Sequence, residues 1–191
     1  MILPVVKYGD PVLRKKGVAI EKVTPEIKRL VDDMFEKMYN AAGVGLAAQQ
    51  VGQALQLTVI DVRAVKDRPS RMEIAGKVVD VAEHMPLVLI NPKITPFGDP
   101  TKGPEGCLSF PEVYADITRP DSVEVEATNA EGKTVRFKAG GLLSRAVQHE
   151  VDHLNGILFI DRMTSETKAE IKDEIDALQA ETKELLKKKK K

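Results

Sequence analysis

The sequence predicts an α+β domain, and three observations carry that prediction. Strand-like alternation fills the middle of the chain. Helical periodicity marks both ends. A further helical segment, Leu142 to Leu154, follows the strands and holds two of the three histidines. At 191 residues the chain is long enough to bury one real core.

Residues 1–23 read as irregular, with a turn at Gly9-Asp10-Pro11. Thr24-Pro25-Glu26 opens the first helix: a hydroxyl as N-cap, proline in the first turn, then an acid. Ile27, Leu30, Val31, Met34 and Met38 follow at helical spacing, and the helix is expected to end near Asn40. Gly43 to Gly52 is too apolar for a solvated loop and too glycine-rich for a helix. Leu55 to Asp61 reads as a strand. Residues 63–84 are charged and unpatterned, and are expected to be a surface loop. Leu87 to Ile90 reads as a short buried strand stopped by Asn91-Pro92. Ser122 to Thr128 alternates, Asn129 to Lys133 supplies a turn, and Val135 and Phe137 continue the pattern as an antiparallel hairpin. Gly140-Gly141 interrupts the sheet, and Asn155-Gly156 stops the helix between. From Thr164 the chain becomes a charged, weakly amphipathic helix ending in Lys187 to Lys191. The expected division is a catalytic unit over 1–163 and a charged helix with a lysine tail over 164–191.

Composition narrows the function classes. Lys+Arg and Asp+Glu balance at 29 each, which does not point to DNA or a membrane surface. No apolar run approaches the ~20 residues that span a bilayer. One cysteine permits no internal disulfide and suits a reducing compartment. The opening residues have too short an apolar run for a secretory signal. A cytoplasmic monomer is the expectation.

His149-Glu-Val-Asp-His153 carries the chemistry. On a helix, residues i and i+4 share a face, so both imidazoles reach one metal ion. Glu150 flanks that face and reaches a metal-bound water without ligating, as an acid/base must. A catalytic site needs a third protein ligand and an open position. Cys107, preceded by Gly106, is one candidate, although a lone cysteine is as often a small buried hydrophobe. His84 is the other, in a segment that reads as surface. A metallopeptidase would draw its third ligand from downstream, where only acids such as Glu166 and Glu170 remain. A structural metal module would need a fourth ligand. A nucleic-acid-binding domain would need a basic or aromatic platform that the body of the chain lacks.

Three segments together resemble peptide deformylase, of the bacterial and organellar type: Gly43-Val-Gly-Leu-Ala-Ala-Gln-Gln50, Glu105-Gly-Cys-Leu-Ser109 and Gln148-His-Glu-Val-Asp-His153. The similarity extends over about residues 1–163. It implies antiparallel β-sheets packed around a central metal-binding helix, with an N-terminal helix and a charged C-terminal helix. It also implies hydrolysis of the formyl group from the N-terminal formyl-methionine of nascent peptides. The ligands become Cys107, His149 and His153, with Glu150 as acid/base. Gln50 and the backbone N–H of Leu108 become oxyanion donors, and Gly45 lines the site. The implied metal is Fe(2+), with Zn(2+) or Ni(2+) able to take its place. Glycines at 43 and 45 suit a wall that must approach a formyl group closely. Val44, Leu142 and Ala146 are candidates for a methionine pocket, although they equally suit ordinary core. Glu105 and Arg119 are expected to pair and brace the cysteine segment. A lysine run ordinarily reads as solvated; since nascent chains emerge at the ribosome, the basic C-terminal helix is also a candidate ribosome contact.

Overall fold

Thr24 caps the first helix as its sequence requires: its Oγ1 accepts from the Ile27 N–H at 3.3 Å, with Pro25 in the first turn. This helix, α1 (Pro25–Asn40), buries Val31, Met34 and Met38. The computed structural model describes residues 3–189. Ahead of α1, a 3-10 turn at Pro11–Arg14 buries Leu13.

The strands are β1 (Gly45–Ala47), β2 (Leu57–Ile60), β3 (Ser70–Ile74), β4 (Lys77–Val79), β5 (Leu87–Cys107), β6 (Phe110–Thr128) and β7 (Thr134–Gly140). They join in one seven-stranded sheet of order β1-β2-β5-β6-β7-β3-β4, antiparallel at every pairing. A 3-10 turn at Ala48–Val51 follows β1.

Two expectations fail here. The segment 63–84 is not a surface loop. Ser70 to Val79 is a β-hairpin, turned at Ala75 (φ 50) and Gly76 (φ 78), and its first strand pairs with β7. Met72, Ile74 and Val79 join the core, so charge on the outer face concealed a half-buried strand pair. Nor does Asn91-Pro92 stop the strand at Ile90. The register shifts between Ile90 and Lys93, Asn91 takes φ 50, and β5 runs on to Cys107. The Asn91 side chain stitches this bulge to Ile20, accepting from its N–H at 2.8 Å and donating to its carbonyl at 2.7 Å. The continuation positions the site, because it delivers Cys107 to a tight turn before Phe110.

Helix α2 (Gly141–Leu154) follows β7 directly, and Gly141 at φ 65 makes the turn. A Cβ there would lie 2.3 Å from the Pro69 carbonyl oxygen. The β3 segment satisfies two of the helix's free donors: Leu142 N–H to Pro69 O at 3.0 Å, and Leu143 N–H to Ser70 Oγ at 3.0 Å. Every residue of α2 from Leu142 to Leu154 is buried. Leu142, Leu143, Ala146, Val147 and Val151 pack with Val123, Val125, Phe137 and Ala139 of the sheet. Helices α3 (Ser165–Glu170) and α4 (Lys172–Lys189) close the chain. Ile175 of α4 enters a cluster with Leu13, Phe110, Ile117 and Phe159. Of the lysine tail, Lys190 and Lys191 lie outside the described residues.

Candidate functional site

Two elements bring three ligand atoms together. Cys107 ends β5, and one helical turn of α2 separates His149 from His153. One donor atom from each lies within 4.8 Å of the others, and Cys107 Sγ is 3.3 Å from His153 Nε2. The His149 and His153 rings meet edge to face at 5.1 Å. His84 ends a 3-10 turn at Val81–His84 and is not part of this group.

The tautomer of His149 follows from its partner. Its Nδ1 lies 2.9 Å from Glu105 Oε1; the carboxylate accepts, so Nδ1 carries a proton and Nε2 is the ring nitrogen open to a metal. Glu105 is held in turn. Arg119 donates to both its oxygens at 2.7 and 2.9 Å, and Arg145 Nη1 donates at 2.8 Å. Arg119 also reaches Asp152 at 2.9 Å, and Arg162 reaches the same carboxylate at 2.8 Å. Burial alone would push the Glu105 carboxyl up. Hydrogen bonds from His149 and Arg119, with the Arg119 charge, outweigh it and hold that carboxyl well below the usual range. Burial keeps the His153 imidazole well below its ordinary value, in the neutral form that ligation needs.

Glu150 differs from its neighbours. It is buried, its Oε2 has no hydrogen-bond partner among the described residues, and burial pushes its carboxyl up to about 7. Gly45 makes room for it: a Cβ there would lie 2.5 Å from Glu150 Oε1. Gln50 is oriented by three bonds. Its Oε1 accepts from Ala47 N–H at 3.0 Å, and its Nε2 donates to Ser109 Oγ at 3.3 Å and Cys107 Sγ at 3.4 Å. The amide nitrogen therefore faces the cysteine turn.

A cavity of about 440 Å³ opens onto this group. Gly43, Val44, Gly45 and Gln50 line one wall, and Leu142, Ala146, His149 and Glu150 line another; Cys107 and Leu108 belong to it as well. His153 is only 1% exposed and does not line it. Donor chemistry and geometry both fit one divalent cation: a cysteine sulfur and two imidazoles converge, Nδ1 of one imidazole is held by Glu105, and an unpartnered carboxyl oxygen stands beside them.

The expected pair of Glu105 and Arg119 forms. Lys7, Arg68, Tyr114 and Arg145 also line the cavity, and sequence reasoning missed them. For Arg145 a signal existed, since it precedes His149 by four residues on the same helical face. For Tyr114, 72% exposed and packed over Gly106, none did: a Cβ at Gly106 would meet the ring at 2.6 Å.

A family model described as polypeptide deformylase matches residues 2–169. A peptide deformylase of Methylacidiphilum infernorum is 49% identical over 178 residues, covering 93% of this chain and 93% of its own. The crystal structure of Arabidopsis thaliana peptide deformylase 1B in complex with an inhibitor matches with TM-score 0.81 at 38% identity, over 95% of this chain and 93% of that one. A peptide deformylase from Synechococcus elongatus, in complex with actinonin, matches with TM-score 0.77 at 40% identity, over 90% and 86%.

Proposed function

We propose that this chain, which belongs to the peptide deformylase family and removes the N-formyl group from nascent peptides, does so by metal-dependent hydrolysis, with Cys107, His149 and His153 holding the metal and Glu150 as acid/base. The observation that carries this reading is Glu150: a buried carboxylate with a free oxygen, beside three converging ligand atoms.

A divalent cation held there supplies Lewis acidity and brings a water within reach of deprotonation near neutral pH. The chain's own residues do the rest. Glu150 takes a proton from the attacking water and hands it to the departing amine, so formate and a free N-terminus leave. Gln50 Nε2 and the Leu108 N–H donate to the formyl oxygen as it gains charge, each contributing ~3 kcal/mol. Gly43 and Gly45 let the wall close on the smallest acyl group. Val44, Leu142 and Ala146 receive the methionine side chain.

Thiolate and imidazole ligands suit iron or zinc; family resemblance favours Fe(2+), with Zn(2+) or Ni(2+) able to replace it. Residues 1–163 form the catalytic unit and 164–191 a charged helical C-terminal stretch, whose basic end is a candidate ribosome contact. Among the described residues no helix is long and apolar enough to cross a membrane, and the reading is of a monomer in the cytoplasm.

The test is formate release from formyl-Met-Ala-Ser by purified protein, with metal content measured in parallel. The parent should release formate, lose that activity to a chelator and regain it with Fe(2+). Cys107→Ala should lose both metal and activity. A Cys107→Ala protein with metal content equal to the parent's would overturn the ligand assignment.

A further inference from the structure

The charges around the cavity are unequally engaged. Glu105 and Arg145 bind each other, Glu150 stands beside the ligand group, and Lys7 Nζ donates to the Leu108 carbonyl at 2.9 Å. Arg68 and Glu112 remain. Glu112 is exposed, whereas Arg68 is half-buried in the cavity wall. Among the described residues Arg68 makes no hydrogen bond or ion pair. A guanidinium partly withdrawn from water with no acceptor of its own is poised to gain from an incoming carboxylate.

The position of Arg68 is set by its neighbours. Pro69 O accepts from Leu142 N–H at 3.0 Å, Ser70 Oγ accepts from Leu143 N–H at 3.0 Å, and Ser70 bridges Gly141. The segment is thus tied to the start of α2. Leu142 precedes His149 by seven residues, which is roughly 10 Å along the helix axis. An extended peptide advances about 3.3 Å per residue, so the distance from the ligand group to the start of α2 is that of about three residues of extended chain.

We infer that Arg68 is a specificity-determining residue, and that it pairs with an acidic side chain at the second or third position of the formylated peptide. The inference rests on the deformylase reading above. It assigns the segment preceding β3 a role beyond anchoring α2. Lys7, on the same cavity, adds charge of the same sign; Glu112 opposes it.

The test uses amidated formyl-Met-Ala-Ser peptides in which the second and third positions are both Asp or both Lys. The parent should favour the Asp peptide in kcat/KM by about fivefold, as expected of a partly exposed ion pair. The difference should lie in KM and shrink as salt rises to about 0.5 M. Arg68→Gln should remove most of the preference, Arg68→Glu should reverse it, and Arg68→Lys should restore part. The same ratios, read as Kd on the metal-loaded Glu150→Gln protein, separate binding from turnover. Formate release with a charge ratio that Arg68→Glu leaves unmoved sinks this inference alone. Charge-selective binding without formate release would support Arg68 and sink the deformylase reading. Absence of both sinks both.

Discussion

Helix α2 buries every residue from Leu142 to Leu154, among them Arg145, Gln148, His149, Glu150 and Asp152, whereas α4, at least as rich in charge, buries only Ile175 and Thr182. The difference lies in what each helix meets. On α2, Gln148 donates to the Pro120 carbonyl at 2.8 Å and to Ser144 at 2.9 Å. Arg145 meets Glu105, and Asp152 meets Arg119 and Arg162. A polar group can leave water only when such partners replace it. On α4, the charges stay in solvent and pair locally, as Lys187 does with Glu184. The side-chain atoms of α2 that break the rule, Glu150 Oε2 and His153 Nδ1, both belong to the candidate site. On this helix, unpartnered polarity inside a satisfied network is confined to the candidate site.

The strongest way to break the comparison is at Glu150. Glu150→Gln keeps the shape and removes the base, and kcat for formate release should fall by about 10²–10⁴ while metal content stays at the parent's level. A variant that lost its metal would instead make Glu150 a ligand. Next is the network itself. Glu105→Ala leaves Arg119 and Arg145 without their carboxylate, so denaturant unfolding should show a loss of about 3–5 kcal/mol. Metal affinity should fall by about 10–100-fold, because His149 loses the acceptor that sets its tautomer. A metal Kd unchanged in this variant would contradict that role.

Acid should act on the same network. The Glu105 carboxyl titrates lower in the folded protein than its ordinary value of 4.5, so it contributes stability above that value. That contribution is lost as pH falls through the folded value. Urea midpoints between pH 6 and 3 should drop more steeply for the parent than for Glu105→Gln, and parallel curves would refute the assignment. On α4 the effects are smaller and of another kind. Ile175→Ala should cost about 2 kcal/mol through lost packing and leave kcat/KM unchanged. Lys172→Ala, which removes an exposed pair with Asp176, should cost no more than about 0.5 kcal/mol. If Lys172→Ala rivalled Ile175→Ala, charge and not burial would be holding α4.

Much of this was legible from local signals. The cap at Thr24, the alternation after Ser122 and the two histidines one turn apart each act over a few residues, and each appears where the pattern put it. The hairpin of β3 and β4 was hidden because Arg71, Glu73 and Lys77 dominate its composition. The Met72 and Ile74 alternation and the Ala75-Gly76 turn were the signals to read. The run of β5 past Pro92 had no local signal, because the bulge is stabilised by Asn91 reaching Ile20, far away in the chain. Arg68 and Lys7 at the cavity were equally out of reach, since nothing near them in sequence says which wall they join.

By itself, then, the sequence determined the helix that carries His149, Glu150 and His153, because i,i+4 geometry is a property of the helix alone. Through resemblance it also pointed to Cys107 as their companion. Only the tertiary structure decided that Cys107 arrives at 3.3 Å from His153, that Glu105 sets the His149 tautomer, and that Glu150 keeps an oxygen free. Those are contacts between residues about 45 positions apart, and a spacing rule ends where the chain must fold back on itself to make them.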